Sequence, residues 1–130
     1  MRRLAAPLIL ALALGLPQAA VAEETAESGR VSYEQLCESC HGPEGKGDGP
    51  AGIAALPMPR DFSVGAFKFD ADSDGRTGTD ADLFLVIRDG GMAVGGSPLM
   101  AAWGHLGEDR VRALVAYVRS LERPLPQPSD

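Results

Sequence analysis

The sequence predicts an all-α domain, and three observations carry that prediction. Apolar residues recur at helical spacing in three stretches, at about 29–40, 79–90 and 108–121. The segments between them hold most of the 16 glycines and 10 prolines, from Gly42 to Pro98, and read as loops. At 130 residues the chain has the length of one domain, and it carries no internal repeat or heptad pattern.

The elements follow in order. Arg2 and Arg3 precede an apolar run from Leu4 to Leu16, and Ala20-Val21-Ala22 has the small-x-small form of a cleavage site. Residues 1–22 are therefore expected to be an export signal. The run is too short to span a bilayer, which needs about 20 residues, although an uncleaved anchor is the rival reading. Residues 23–28 are polar and acidic and are expected to form a loose tail. From Gly29, the residues Val31, Tyr33, Leu36, Cys37 and Cys40 recur at helical spacing and predict a helix over 29–40. The glycine and proline run 42–50 predicts a loop, followed by a short helical turn at 51–56 that Pro57 and Pro59 end. Arg60-Asp61-Phe62 and Phe67-Lys68-Phe69 fall in further loop. Thr79 with Asp82 three residues on resembles a capping box, and Leu83, Phe84, Val86 and Ile87 give the buried face of the helix it starts. Gly90-Gly91 stops that helix. The last helix, 108–121, has Glu108 and Asp109 at its start and Arg119 near its end, which suits the helix dipole. Its stripe is Val111, Leu114, Val115, Val118 and Leu121, and Pro124 and Pro126 terminate it.

The charge is acidic. Removing residues 1–22 takes two arginines and no acid, so the formal charge of −6 becomes −8. Such a surface argues against nucleic acid or an anionic membrane as partner. It suits a redox protein partner with a basic docking patch, or serves solubility alone. One Trp, two Tyr and four Phe make a thin core for a chain this rich in loops. A large apolar cofactor would add the buried area that the side chains lack.

Both cysteines lie in Cys37-Glu38-Ser39-Cys40-His41. A redox dithiol would follow a strand in a βαβ unit, which the pattern does not show. A zinc site needs four ligands, and no second Cys or His pair exists. A disulfide over two residues would staple almost nothing. The histidine directly after the second cysteine decides the matter: Cys-x-x-Cys-His is the pattern of covalent haem c attachment. Two thioethers bond one haem, and His41 follows in place to offer its imidazole to the iron.

Gly29, Tyr33 and Cys37-Glu38-Ser39-Cys40-His41-Gly42 match the spacing at the start of class I cytochromes c, and Met100-Ala101-Ala102-Trp103 before a helix with Tyr117 resembles their end. Pro59-Arg60-Asp61-Phe62, Phe67-Lys68-Phe69 and Thr79-Asp80-Ala81-Asp82-Leu83 look like one bacterial subgroup with a single haem. The resemblance implies an all-α class I cytochrome c fold of three to four helices wrapped around one covalent haem. It also implies that the first and last helices cross, with Gly29 permitting close approach and Tyr33 near Tyr117. Ala101 stands where the family usually has proline after its ligand methionine.

The resemblance implies Met100 as the sixth iron ligand, 59 residues after His41 and just ahead of the last helix. Met92 lies in the same loop, and Met58 reads as core packing. His105 reads as a surface or hydrogen-bonding residue. His41 is expected to donate its other ring proton to a backbone carbonyl, which the family takes from a proline; Pro50, Pro57 and Pro59 are available. Arg60, Lys68 and Trp103 are candidates to bind the haem propionates, and Phe67, Phe69 and Leu99 to line the pocket. Asp70, Asp72 and Asp74 with Gly75 match the first half of a calcium loop, but Ala81 occupies the twelfth position, so the segment reads as a solvated acidic loop.

These readings lead to a periplasmic electron carrier with no catalytic residue set. A subunit of a larger oxidoreductase, or a ligand-binding haem sensor or peroxidase, is the alternative.

Overall fold

A computed structural model describes the backbone of residues 18–123 and the side chains of 25–123. Of the export signal expected at 1–22, residues 1–17 lie outside the described residues, as do Pro124 and Pro126.

Four α-helices and two single 3-10 turns make up the regular structure among the described residues, and no strand is present there. Helix α1 runs Gln18–Leu36, and α2 is one further turn, Glu38–His41. Helix α3 spans Asp80–Asp89 and α4 spans Glu108–Ser120. No described helix is long and apolar enough to cross a membrane.

Helix α1 begins eleven residues before the position that periodicity predicts, so the expected tail at 23–28 is helical instead. Its residues there are mostly Ala and Glu, strong helix formers that need no buried face. Arg30 adds to the helix by pairing with Glu27 at 2.6 Å and with Glu34. The helix breaks at Cys37, so the expected 29–40 helix is two pieces. Residues 51–56 form successive hydrogen-bonded turns, Gly52 N to Gly49 O at 2.8 Å and Ala55 N to Gly52 O at 2.9 Å, and not the expected helical turn.

Helices α1 and α4 cross at Gly29. A Cβ built there would lie 1.9 Å from the Ala113 carbonyl oxygen, so only glycine lets the two backbones meet. One turn on, Tyr33 is fully buried and its ring lies 5.0 Å from that of Tyr117. Its hydroxyl donates to the Gly42 carbonyl at 2.7 Å, which ties the loop after α2 to this crossing. The predicted stripe of α4 forms the core: Val111, Leu114, Val115 and Val118 are all buried, with Leu121 packed at the edge. Each such side chain contributes about 1.5–3 kcal/mol by leaving water.

Helix α3 adds Leu83 and Ile87 to the same core. It begins with a complete capping box: Thr79 Oγ1 accepts from Asp82 N at 3.2 Å, and Asp82 Oδ2 accepts from Thr79 N at 2.8 Å. Asp82 does more than cap. Only 1% exposed, it also accepts from Ala71 N at 2.5 Å and Asp72 N at 3.3 Å through Oδ1. Burial pushes its carboxyl up, but the hydrogen bonds from Thr79, Ala71 and Asp72 outweigh burial and hold it below the ordinary 3.8.

That arrangement has two measurable consequences. Asp82→Ala leaves several backbone N–H groups without an acceptor and costs about 3 kcal/mol or more in denaturant unfolding. Because the folded carboxyl titrates below the unfolded one, its stabilisation is complete above pH 3.8 and is lost as pH falls through the depressed value. The acid limb of a stability–pH curve is therefore expected to flatten in Asp82→Asn relative to the parent. An unchanged limb would remove Asp82 from this role.

Candidate functional site

The break between α1 and α2 places Cys37 and Cys40 within one turn. Cys40 N and His41 N both donate to the Cys37 carbonyl, at 3.1 and 2.9 Å. Residues three apart on a helical turn share a face, so both sulfurs and the following imidazole point into the same region. Both thiols are free and half-buried. Burial, reinforced by Cys40, pushes the Cys37 thiol up from an ordinary 9.0 to about 11, so it is held as the neutral thiol.

His41 is buried, at 9% exposed. Its Nδ1 lies 3.3 Å from the Arg60 carbonyl oxygen. A carbonyl can only accept, so Nδ1 carries the proton and Nε2 keeps its lone pair. Burial holds the imidazole below its ordinary 6.5, against a smaller upward effect of the Arg60 carbonyl. The neutral ring is the form that ligates a metal. The acceptor is Arg60 and not Pro50, Pro57 or Pro59. The return of the loop explains this: Phe62 N donates to Gly45 O at 2.6 Å, and Gly47 lets the Pro59 carbonyl approach to 2.4 Å from where a Cβ would stand. The next carbonyl, that of Arg60, is then aimed at His41.

Cys37, Cys40 and His41 line a cavity of about 770 Å³, within the roughly 300–1,000 Å³ of cofactor pockets. Leu83, Val86 and Ile87 of α3 and Leu114 and Val118 of α4 form apolar walls, with Phe67, Phe69 and Leu99 completing them as the sequence suggests. Met100 lines the same cavity and packs on the core. Met58 also lines it, 56% exposed at the rim. Met92 does not reach it and is 73% exposed, and His105 lies outside it on the surface, its ring 5.8 Å from that of Trp103.

The loop that carries Met100 is held by α3 where the family proline is missing. Gly91 N donates to Met100 O at 2.9 Å, Met100 N to Ser97 O at 3.2 Å, and Trp103 N to Ile87 O at 2.9 Å. Gly90 and Gly91 allow this contact, since a Cβ on either would fall about 3 Å or less from the Met100 segment.

Arg60, Lys68 and Trp103 line the cavity as well. Neither cation pairs with a carboxylate among the described residues; Lys68 rests 4.9 Å from the centre of the Phe69 ring. Asp70, Asp72 and Asp74 do cluster. Their oxygens accept from the loop's own backbone, as in Asp74 N to Asp70 Oδ1 at 3.0 Å, and Arg76 pairs with Asp74 at 2.6 Å.

One contact has no counterpart in sequence reasoning. The Phe62 ring stacks on His41 with centroids 4.4 Å apart and planes at 20°. Phe62 sits in a loop that carries part of the family resemblance, and no periodicity marks its contact with His41.

Two thiols, a neutral imidazole and a thioether on one apolar cavity, with unpaired cations at its edge, are the donor set a c-type haem requires. This site within four helices and long loops defines a class I c-type cytochrome. The chain belongs to the family described as cytochrome c oxidase, cbb3-type, subunit III, whose model matches residues 24–118. Among solved structures it is similar to a chain of the reducing HAO-like protein complex of Kuenenia stuttgartiensis, at 34% identity and a TM-score of 0.61. That match covers 80% of this chain and 47% of the other, so the chain spans about half the length of its relative. No curated protein matches the chain. Family membership implies haem c as the bound group.

Proposed function

We propose that the protein is a periplasmic mono-haem cytochrome that carries single electrons between redox partners. Cys37 and Cys40 would hold one haem covalently, and His41 and Met100 would ligate its iron. The observation that carries this reading is the convergence of those four side chains on one cavity.

Bound there, the haem supplies a one-electron couple. The chain's own residues do the rest. Cys37 and Cys40 would hold the haem through thioether bonds to its two vinyl groups. His41 offers Nε2 while the Arg60 carbonyl holds the Nδ1 proton. The Met100 thioether, a soft donor, favours ferrous iron and raises the potential. Leu83, Val86, Ile87 and Leu114 exclude water, and Arg60 and Lys68 meet the anionic propionates. The acidic surface is offered to a redox protein with a basic docking patch. Residues 1–22 direct export and are removed after Ala22.

A second reading has one observation in its favour. The solved relative belongs to a complex, which favours reading this chain as the electron-transfer subunit of a larger oxidoreductase. Purification from the native host separates the two readings: a co-purifying catalytic subunit supports the second, and a lone cytochrome the first.

The test of the site is the spectrum and mass of the haem-matured protein. A low-spin ferric spectrum with the weak far-red sulfur–iron band, no response of the reduced protein to carbon monoxide, and a mass equal to residues 23–130 plus one haem are expected. A high-spin ferric spectrum or a clear shift with the gas would overturn Met100 as ligand and favour a sensor or peroxidase. A mass with two haems, or with the leader retained, would overturn those parts of the reading.

A further inference from the structure

Of the contacts around the cavity, the stack on His41 has the most direct chemical reach. We infer that Phe62 is a positioning residue that sets the rotation of the His41 imidazole plane, and through that plane the reduction potential. This rests on the reading of His41 as an iron ligand.

Two contacts orient the ring. The hydrogen bond from Nδ1 to the Arg60 carbonyl is 3.3 Å, longer than the usual 2.7–3.2 Å of N–H···O bonds, and it pins a single point. The imidazole can still pivot about that point. The Phe62 face removes the freedom, because rings 4.4 Å apart and 20° from parallel collide at an edge when one turns.

Phe62 cannot follow such a turn. Its backbone N–H is held by the Gly45 carbonyl at 2.6 Å, and its Cδ2 lies 3.1 Å from where a Gly45 Cβ would stand. Phe67 stacks with it at 5.9 Å and 27°. Phe67 in turn lies under the Arg119 guanidinium, 5.1 Å from its centre. Arg119 is anchored by Asp80 at 2.7 Å and Glu122 at 2.8 Å. A braced column therefore runs from the imidazole to the C-terminal end of α4.

Ring orientation matters because the imidazole π orbital overlaps iron d orbitals that lie along its own direction. The plane decides which orbital holds the unpaired electron of low-spin ferric iron. That choice appears in the anisotropy of the electron paramagnetic resonance signal and in the relative stability of the two oxidation states.

The experiment compares haem-matured parent, Phe62→Leu, Phe62→Tyr and Phe67→Leu by paramagnetic resonance and redox titration. Phe62→Leu keeps apolar volume but loses the flat face. Its signal anisotropy is expected to change, and its reduction equilibrium to shift about threefold or more, which is roughly 30 mV at 59 mV per tenfold. Phe62→Tyr keeps the face and both parent values. Phe67→Leu removes one brace of the column, and its anisotropy is expected to move in the same direction as that of Phe62→Leu but by less. Parent values in Phe62→Leu would sink the inference and leave Phe62 as core packing. Should that variant not mature, ferrous parent protein still decides: a nuclear Overhauser contact between the Phe62 and His41 ring protons supports the stack, and its absence overturns it. A parent lacking a low-spin ferric signal would instead remove the axial-ligand reading beneath.

Discussion

Met100→Ala is expected to abolish the far-red ferric band, open the reduced protein to carbon monoxide, and lower the reduction potential by on the order of 0.1 V or more. Axial ligands tune haem potentials over about 0.8 V, so a shift of that size follows from losing one soft donor. The substitution is clean because Met100 holds its loop through backbone atoms. Its carbonyl accepts from Gly91 N and its N–H donates to Ser97 O, and alanine keeps both. Of the other candidates only Met58 touches the cavity, at its rim and 56% exposed. Met92 is 73% exposed and outside the cavity, and His105 also lies outside it. Met92→Ala and Met58→Ala are the controls, with potential and spectrum close to the parent. If Met100→Ala kept the parent potential and the effect appeared in Met58→Ala, the sixth position would belong to the rim methionine instead.

The largest effect on stability is expected at Gly29. An added methyl there would sit 1.9 Å from the Ala113 carbonyl oxygen, 2.6 Å from its carbon and 2.9 Å from Tyr117 Cβ. The obstacle is mostly backbone of α4, which cannot rotate away as a side chain tip can. Helices α1 and α4 must separate, and the Tyr33–Tyr117 contact at 5.0 Å opens with them. Alanine gains up to about 1 kcal/mol over glycine in helix propensity. Overpacking in a well-filled core costs about 1–3 kcal/mol, and a clash against backbone lies at or above the top of that range. The net loss is then about 2 kcal/mol or more, a fall of about 8–16 °C in the melting temperature of a domain this size. Thermal melts of holoprotein followed by circular dichroism check it. A rise in the melting temperature would show that the helices cross elsewhere.

These expectations draw on information of different origin. The clustering of Cys37, Cys40 and His41 on one side was legible because they lie within five positions, and a single helical turn converts that spacing into geometry. The capping box at Thr79 and Asp82 and the apolar stripe of α4 were legible for the same reason, since each lies within a single element. The crossing at Gly29 was implied by the resemblance and not by any local pattern.

Short-range order was misjudged where two local forces competed. Helix α1 reaches back to Gln18 because helix propensity needs no apolar face to read, and residues 51–56 stay as turns because Gly52 and the nearby prolines outweigh the apolar run. The second role of Asp82 was hidden because its additional donors, Ala71 and Asp72, lie eleven and ten residues away.

By itself, then, the sequence determined the main helices, the turn that carries Cys37, Cys40 and His41, and the acidic balance of the chain. Only the tertiary structure decided that Arg60 and not a proline holds His41, that Phe62 faces the imidazole, and that Met100 and not Met92 enters the cavity. The physical reason is distance along the chain. Spacing of a few residues is set by backbone geometry, whereas a contact across twenty or sixty residues exists only after Gly29, Gly45 and Gly91 have let separate segments close on one another.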